Sequence, residues 1–386
     1  DALLERLRQA GLAGEAGGGE AMAALRLDAN GYAFVCWQGE APLDAQPERR
    51  EFSARGDALC IALLCAPDAN AALLVPGIYA LRAANSIGRL RAELDDMAQI
   101  VGLTARTAND VSEPALRRGL KRRSACFVRG GGMLLTGRSA SEAVTAAVLL
   151  EKAAMTHILA KKLGGAKRVP LVSALLMRLA YRTRYSKINL SEEARADKKS
   201  PRQTAAYSAN ERTLREELVD YGKRLVETGL VQGTWGNLSV RLDGENMLVT
   251  PSGLDYRALT PDDIVRVRLD TLAYEGARKP TSERRLHRDI YAAMPDAGAV
   301  IHTHAVCCGV FGAARAPLNA ADDPDAACGW DIACAKHALP STRALSRHAL
   351  AALEGRNACL LINHGAICCG RNLAEAFVRC ERSERA

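Results

Sequence analysis

Apolar and polar residues follow two different periods in the second half of the chain. In ERTLREELVDYGKRLVETG (211–229) apolar residues recur every three or four positions, which predicts a helix that ends at Gly229. DIVRVRL (263–269) alternates instead, as a half-buried strand does. The same patterns predict further strands at 297–303, 358–363 and 366–370, and further helices at 282–294 and 344–353. Strands beside strands, with helices between the groups, predict a mixed or antiparallel sheet covered by helices on both faces.

The same order of segments occurs twice along the chain. SACFVRGGGMLLTGRSASEA (124–143) aligns without a gap with NACLLINHGAICCGRNLAEA (357–376). Two more blocks align in the same order, 67–77 with 295–305 and 24–35 with 239–249. Three blocks in register predict the duplication of one fold.

A polar segment separates the two halves. Residues 191–212, SEEARADKKSPRQTAAYSANER, show no apolar periodicity and are typical of a linker. A length of 386 residues also suits two domains, each long enough to bury its own core. We therefore predict a first domain at 1–190, a linker at 191–209 and a second domain at 210–386.

Composition narrows the class of protein. A hydrophobic share of 48% with 25% charged residues is typical of a globular chain, and no apolar run reaches the ~18 residues of a membrane span. No membrane partner is therefore expected. The 12 cysteines form no CxxC pair, which predicts reduced thiols in an intracellular protein, cytoplasmic or organellar.

The net charge of +8 is unevenly distributed. Residues 101–200 carry 20 basic and 7 acidic side chains, including the run RRGLKRR at 117–123. One interpretation is a solvated helix face. The other is a surface for an acidic partner, such as RNA or an acidic protein.

Three histidines form the strongest chemical signal. His302 and His304 stand two positions apart at the end of a predicted strand, so their side chains leave the same face of the sheet. His364 lies between two predicted strands, and Gly365 beside it permits the backbone to pass close to a ligand. Three imidazoles with an open fourth position are typical of catalytic Zn²⁺, with another divalent metal as the alternative ion. The alternative interpretation is three separate core histidines.

Several polar residues complete the predicted site. Glu283, just ahead of a predicted helix, is the candidate general base; its alternative role is to stabilise the helix dipole. Hydroxyl, amide and backbone donors suited to a phosphate come from loop positions in the same region. These predicted phosphate-binding residues are Asn237, Ser252, Gly253, Thr281 and Ser282.

The segments GNLSVR, TPSG, KPTSE, HTH and NHG occur in this order between residues 236 and 365. As a set they resemble the class II aldolase and adducin family, over about residues 210–386. The resemblance implies a three-layer αβα fold with a central, mainly antiparallel sheet. With the duplication, we expect an α/β chain of two such domains in tandem. The resemblance also implies zinc on His302, His304 and His364, Glu283 moving a proton on and off the substrate, and the five residues above holding the phosphate of a ketose phosphate.

The resemblance implies an activity as well. We expect a zinc-dependent class II aldolase-type lyase that cleaves or forms a C–C bond in a small, phosphorylated sugar or hydroxy-carbonyl compound. Epimerases of the family usually carry aspartate at the position of Glu283, which favours C–C bond chemistry, and dehydratases are the alternative within the family. No residue of LNAADDPDAACGWD (318–331) matches the family's tyrosine proton donor, so that role is unassigned. The family further implies a homo-oligomer with active sites near subunit boundaries.

The first half lacks every residue of this site. The alignment places Leu74 at the position of His302, Pro76 at His304, Gly131 at His364, Arg55 at Glu283 and Met22 at Asn237. Leucine, proline and glycine side chains cannot bind zinc. We therefore predict a degenerate first domain without a metal site. The second functional hypothesis is a non-catalytic scaffold or assembly subunit, as adducin heads are, whose basic first half binds RNA or another protein.

Overall fold

The computed structural model describes residues 12, 21–26, 32–38, 41–42, 54–185, 207–232, 234–275, 278–319 and 331–386. The described residues divide into two compact units. The first contains those within Asp1–Lys161 and Arg168–Leu179, and the second those within Lys162–Lys167 and Ala180–Ala386. Most of the predicted linker lies outside the described residues, so the exact domain boundaries stay a prediction.

The first unit is built on one eight-stranded sheet with strand order β3-β2-β1-β4-β8-β7-β6-β5. Neighbouring strands are antiparallel except β6 and β7, which are parallel. The elements in chain order are β1 Ala21–Arg26, β2 Tyr32–Gln38, β3 Ala41–Pro42, α1 Ala54–Cys65, β4 Ala71–Val75, α2 Ile78–Ser86, β5 Arg89–Arg91, α3 Asp95–Ile100, β6 Thr104–Ala108, α4 Glu113–Leu120, β7 Ala125–Val128, β8 Gly132–Gly137, α5 Ala140–Leu159 and α6 Leu171–Ala180.

The second unit also contains one eight-stranded sheet, with strand order β11-β10-β9-β12-β16-β15-β14-β13. Here β14 and β15 are the parallel pair. Its elements are α7 Ala209–Glu227, β9 Asn237–Arg241, β10 Asn246–Val249, β11 Val265–Arg268, α8 Arg284–Ala293, β12 Ala299–Thr303, α9 Val306–Ala314, β13 Leu318–Asn319, β14 Asp331–Ala335, α10 Arg343–Leu353, β15 Ala358–Leu361, β16 Gly365–Gly370 and α11 Leu373–Arg385.

Helices cover both faces of the second sheet. Successive residues of a strand point to opposite faces, and along β12 this alternation feeds two separate hydrophobic cores. Ile301 belongs to the core that includes residues of α7, α9 and α11. Val300 belongs to the core that includes residues of α8 and α10. The mixed α/β architecture with two sheets that the sequence predicts is therefore observed.

The strand registers of the two units correspond. In the second unit His302 on β12 lies opposite Asn237 on β9. In the first unit Leu74 on β4 lies opposite Met22 on β1. These are the same two pairs that the sequence alignment equates, and the strand order around them is the same in both sheets.

A partly buried carboxylate caps one helix in each unit. Glu151 accepts hydrogen bonds of 2.7 Å from two backbone N–H groups at the start of α2. Glu384 accepts hydrogen bonds from the N–H groups of Cys307 (2.7 Å) and Cys308 (2.9 Å) at the start of α9. The first N–H groups of a helix have no partner within the helix, and a negative charge there is favourable. Each unit therefore satisfies the same helix start in the same way.

One stretch of the described residues, Ala140–Leu163, is long and apolar enough to cross a membrane by length and composition. Within its most apolar window 61% of the residues are buried inside the structure. The helix α5 packs on β8 and β4, as a core helix does. Cys126, Cys308, Cys359, Cys368 and Cys369 are buried, and the reduced state of the cysteines stays a prediction.

Candidate metal centre and active site

The structure brings the three predicted histidine ligands together. His302 lies on β12, His304 follows the end of that strand, and His364 immediately precedes β16. Their ligand nitrogens all lie within 4.8 Å of one another. The three side chains are buried. Pairing of β12 with β16 is what places the third imidazole beside the first two.

Hydrogen bonding orients the His302 ring. Its Nδ1 lies 2.9 Å from the carbonyl oxygen of Ala366, so Nδ1 carries the proton and donates it. The other nitrogen, Nε2, then presents a lone pair and lies 3.0 Å from Nε2 of His304. A backbone partner that fixes the tautomer in this way is typical of a metal-ligating imidazole.

The turn before β16 depends on two residues with unusual requirements. Asn363 adopts a left-handed conformation with φ of 63°, and its side-chain amide donates a 2.8 Å hydrogen bond to the carbonyl of Lys167, a residue of the same unit. At Gly365 an added Cβ would lie 2.1 Å from the carbonyl oxygen of Thr303. The close approach is therefore of β16 to β12, whereas the sequence suggested an approach of the backbone to a ligand.

Glu283 directs its carboxylate at the histidines. It occupies the N-cap position of α8, but its side chain makes no capping hydrogen bond. Oε2 lies 3.3 Å from Nε2 of His302, and Oε1 lies 3.7 Å from Nε2 of His364. The carboxylate of Glu283 thus lies beside the imidazoles of His302 and His364. The alternative interpretation was a glutamate that stabilises the helix dipole. The side chain instead points to the histidines and does not cap the helix.

The surroundings of Glu283 favour its charged form. Burial by itself raises the pKa of this carboxyl, whereas positive charge at the neighbouring imidazoles of His302 and His364 and the hydrogen bond from Asn237 lower it. The side chain is therefore an ionised carboxylate at neutral pH.

The four side chains fit a divalent ion. Zinc–ligand bonds of about 2.0–2.1 Å in a tetrahedron place ligand atoms about 3.3 Å apart. Three separations between ligand atoms here are 3.0, 3.3 and 3.7 Å. In addition, Oε1 of Glu283 is buried and accepts no hydrogen bond from any described residue. A cation among these atoms would satisfy the carboxylate oxygen and the imidazole lone pairs together.

Asn237 lies in this site, but its side chain faces inward. Its amide nitrogen donates a 3.0 Å hydrogen bond to Oε2 of Glu283. Its amide oxygen lies 2.5 Å from Nε2 of His287. Both polar atoms of the side chain are therefore engaged within the protein. The phosphate contact expected for Asn237 stays a prediction, and the structure shows a different set of partners.

The other predicted phosphate-binding residues lie on two adjacent segments, 250–253 and 279–282. Backbone hydrogen bonds of 3.0 and 2.9 Å join these segments. Gly253 has a φ of 77°, which a glycine adopts without strain. The structure thus brings Thr281 and Ser282 beside Ser252 and Gly253, and their contact with a phosphate stays a prediction.

Three further residues of the site were not predicted from the sequence. Oγ of Ser239 lies 2.6 Å from Nδ1 of His287 and 2.7 Å from the hydroxyl of Tyr291. All three are buried, and burial lowers the pKa of His287 to about 3, so its ring is neutral. A signal for two of them exists in the sequence, because Glu283, His287 and Tyr291 are spaced four residues apart along one helix face.

A mainly antiparallel sheet between layers of helices, with three histidines and a glutamate converging at the end of a central strand, defines an α/β protein with a candidate metal site. Residues 216–386 match the model of the Class II Aldolase and Adducin N-terminal domain. The chain belongs to the class II aldolase and adducin family, and the resemblance noted in the sequence is confirmed.

Similar proteins cover less than half of this chain. The 5-methylthioribulose-1-phosphate/5-deoxyribulose-1-phosphate aldolase of Rhodospirillum rubrum is 47% identical over 165 residues, which are 42% of this chain and 74% of the relative. The L-fuculose phosphate aldolase of Escherichia coli O6:H1 is 41% identical over 165 residues, 42% of this chain and 76% of that protein. A solved structure of an L-fuculose 1-phosphate aldolase covers 46% of this chain and 84% of its own, with 38% identity and a TM-score of 0.44.

Proposed function

We propose that the second unit is a metal-dependent aldolase-type lyase that acts on a small phosphorylated ketose. The observation that carries this proposal is the buried convergence of His302, His304, His364 and Glu283 on one point. Similarity to aldolases that act on ribulose and fuculose phosphates supports the choice of reaction and substrate class.

The three histidines would hold a divalent ion, and a set of imidazole donors favours zinc. When bound, such an ion polarises the carbonyl and hydroxyl oxygens of the substrate, which stabilises negative charge next to the carbon–carbon bond that reacts.

Glu283 is placed to move a proton. Its Oε2 is occupied by the amide of Asn237, whereas Oε1 accepts no hydrogen bond from a described residue. In the bond-forming direction Oε1 would accept the proton of the carbon next to the substrate carbonyl, and in the cleavage direction it would return that proton. The ionised carboxylate of Glu283 is the form that the bond-forming direction requires.

The segments 250–253 and 279–282 are the proposed phosphate site. They combine side-chain hydroxyls with backbone N–H groups beside the start of α8, where an anion is favoured. On this proposal, Ser252, Gly253, Thr281 and Ser282 bind the phosphate group of the substrate, as the sequence predicts.

We infer that the first unit is a degenerate copy of the second. The shared strand order, the equivalent strand registers and the carboxylate cap on the same helix support this inference. Leu74, Pro76 and Gly131 stand at the positions of the three histidines, so the copy would bind no metal. A role in assembly, through a homo-oligomer or an acidic partner of residues 101–200, belongs to the same proposal.

The test uses the full chain, stripped of metal by a chelator and reloaded with Zn²⁺, Mn²⁺ or Co²⁺. L-Fuculose 1-phosphate and 5-deoxyribulose 1-phosphate are offered, and the release of dihydroxyacetone phosphate is followed. Three variants are compared with the wild type, namely His302→Ala, Glu283→Gln and the control His348→Ala. The ring Nδ1 of His348 lies 3.0 Å from the backbone carbonyl oxygen of Lys336.

We expect about one metal ion per chain in the wild type and in Glu283→Gln, and its loss in His302→Ala. Removal of a general acid–base lowers the rate roughly 10²–10⁴-fold, so Glu283→Gln should fall by that factor while the control stays active. Unchanged turnover in Glu283→Gln removes this residue from the mechanism. Loss of water from the substrate in place of C–C cleavage identifies a dehydratase, and a metal-free native chain that binds RNA in a salt-sensitive way identifies the scaffold.

A further inference from the structure

A continuous chain of buried hydrogen bonds ends on the carboxylate of Glu283. It begins at the hydroxyl of Tyr291 and passes through Ser239 (2.7 Å), His287 (2.6 Å), Asn237 (2.5 Å) and Glu283 (3.0 Å). All five side chains are buried. The residues that lead to Glu283 lie on β9 and α8, and no step of the proposed reaction uses the first three of them.

The direction of every hydrogen bond in this chain is determined. A carboxylate only accepts, so the amide nitrogen of Asn237 must face Glu283 and its oxygen must face His287. His287 must then carry its proton on Nε2, which leaves Nδ1 as an acceptor for the Ser239 hydroxyl. Ser239 in turn accepts the hydroxyl proton of Tyr291. A one-way chain of this kind holds its last member in a single orientation.

The first unit shows that the fold itself does not need these polar groups. The alignment and the strand register place Met22, Ala24, Leu59 and Leu63 at the positions of Asn237, Ser239, His287 and Tyr291. Ala24, Leu59 and Leu63 are buried together in one hydrophobic core, with Met22 packed against it. The same sheet thus forms with an apolar core at these positions, in the unit that also lacks the histidines.

We propose that Tyr291, Ser239, His287 and Asn237 are positioning residues that fix Oε2 of Glu283 and thereby aim Oε1 at the reaction. The catalytic consequence rests on the proposed function, whereas the positioning itself does not. Buried polar groups are costly unless fully hydrogen-bonded, and an apolar core of the same shape is available to this sheet. The unit with Glu283 keeps all four polar residues, and the unit with Arg55 at the aligned position has none of them, so we assign these residues to the positioning of the carboxylate.

The test transfers the residues of the first unit into the second. The variant Ser239→Ala/His287→Leu/Tyr291→Leu is made in the full chain, with His348→Leu as a control histidine in the same unit. Both are loaded with Co²⁺ alone, and the visible absorption of the ion reports the arrangement of its ligands. Tyr291→Phe, which removes one hydroxyl and keeps the ring, provides a milder variant that preserves the packing.

We expect the triple variant to fold and to bind one Co²⁺ per chain, with a changed visible spectrum and a kcat that falls roughly 10–100-fold at unchanged KM, the range typical of residues behind a ligand. Tyr291→Phe should change both in the same direction by less, and the control should change neither. A spectrum and a kcat equal to those of the wild type in both Ser239→Ala/His287→Leu/Tyr291→Leu and Tyr291→Phe overturn the proposal. A loss of thermal stability with an unchanged spectrum also overturns it, because these hydrogen-bonded residues would then contribute to packing alone.

A second measurement needs neither metal nor activity. In the metal-free chain labelled with ¹⁵N-histidine, His287 should show a protonated Nε2 and an unprotonated Nδ1, and Ser239→Ala should shift the Nδ1 resonance. The opposite tautomer would contradict the donor-to-acceptor direction assigned to these hydrogen bonds. If the wild type cleaves no ketose phosphate, the proposed function fails, but the tautomer and the Co²⁺ spectrum still decide whether Glu283 is positioned in this way.

Discussion

The buried imidazole of His287 makes the stability of the second unit depend on pH in a defined window. Burial lowers its pKa to about 3 in the folded chain. In the unfolded chain the ring is in water, where the pKa of histidine is about 6.5. Replacement by leucine, the residue at the equivalent position of the first unit, removes the titrating group.

The sign follows from which state binds the proton first. Since the folded pKa lies below the unfolded one, acid protonates the unfolded chain first. The stabilising contribution is therefore complete above about pH 6.5 and is lost as the pH falls towards 3. At 1.36 kcal/mol per pH unit, the free energy of unfolding should fall by about 2 kcal/mol between pH 7.5 and pH 5. Carboxyl groups with pKa values near 4.5 contribute little in this window.

The measurement is urea unfolding of the wild type and His287→Leu between pH 7.5 and pH 5, followed by circular dichroism and tryptophan fluorescence. A chelator is present throughout, so that protonation of the other histidines is not coupled to release of metal. The absolute stability of the variant also changes, because its neighbours lose hydrogen bonds, so only the slopes of the two pH profiles are compared. Parallel pH profiles for the two proteins would show that His287 is exposed or protonated in the folded chain and would refute this reasoning.

Two further predictions concern packing and buried charge. Gly365→Ala places a methyl group 2.1 Å from a backbone oxygen, so we expect a loss of about 1–3 kcal/mol or more and weaker metal binding, measured by thermal unfolding and metal titration. Gly244→Ala, where nothing lies within 4 Å, is the control, and equal stability of the two variants would contradict the expectation. Lys152→Met removes the ammonium group that lies 2.9 Å from the buried carboxylate of Asp96. We expect the free energy of unfolding, measured with urea, to fall by about 3–5 kcal/mol, and an unchanged urea midpoint would contradict this.

The sequence was sufficient for the parts of the site that depend on local spacing. The two-residue period of a strand places His302 and His304 on one side, and the hairpin around His364 is visible in the two short apolar runs that flank it. The position of Glu283 ahead of a helix was also predicted. Its side-chain direction was not, because a glutamate at a helix start points either to the helix or away from it, and only the tertiary contacts decide.

The parts that could not be predicted depend on contacts between distant segments. Asn237 faces Glu283 because β9 pairs with β12 in one register, and a register between strands about sixty residues apart leaves no local mark. His287 and Tyr291 share a helix face with apolar neighbours. From the sequence alone, a polar side chain in such a pattern is interpreted as an ordinary core residue. The partner that gives them a role, Ser239, lies on another strand.

The capping carboxylate of the first unit has a consequence for its history. On the proposed duplication, Glu151 still makes the contact that Glu384 makes in the second unit, whereas every histidine position has changed. Random decay would erode both kinds of residue alike. The histidine positions have changed while the contact at the helix start is kept. On this proposal, the first unit lost its selection for catalysis but remained under selection for folding.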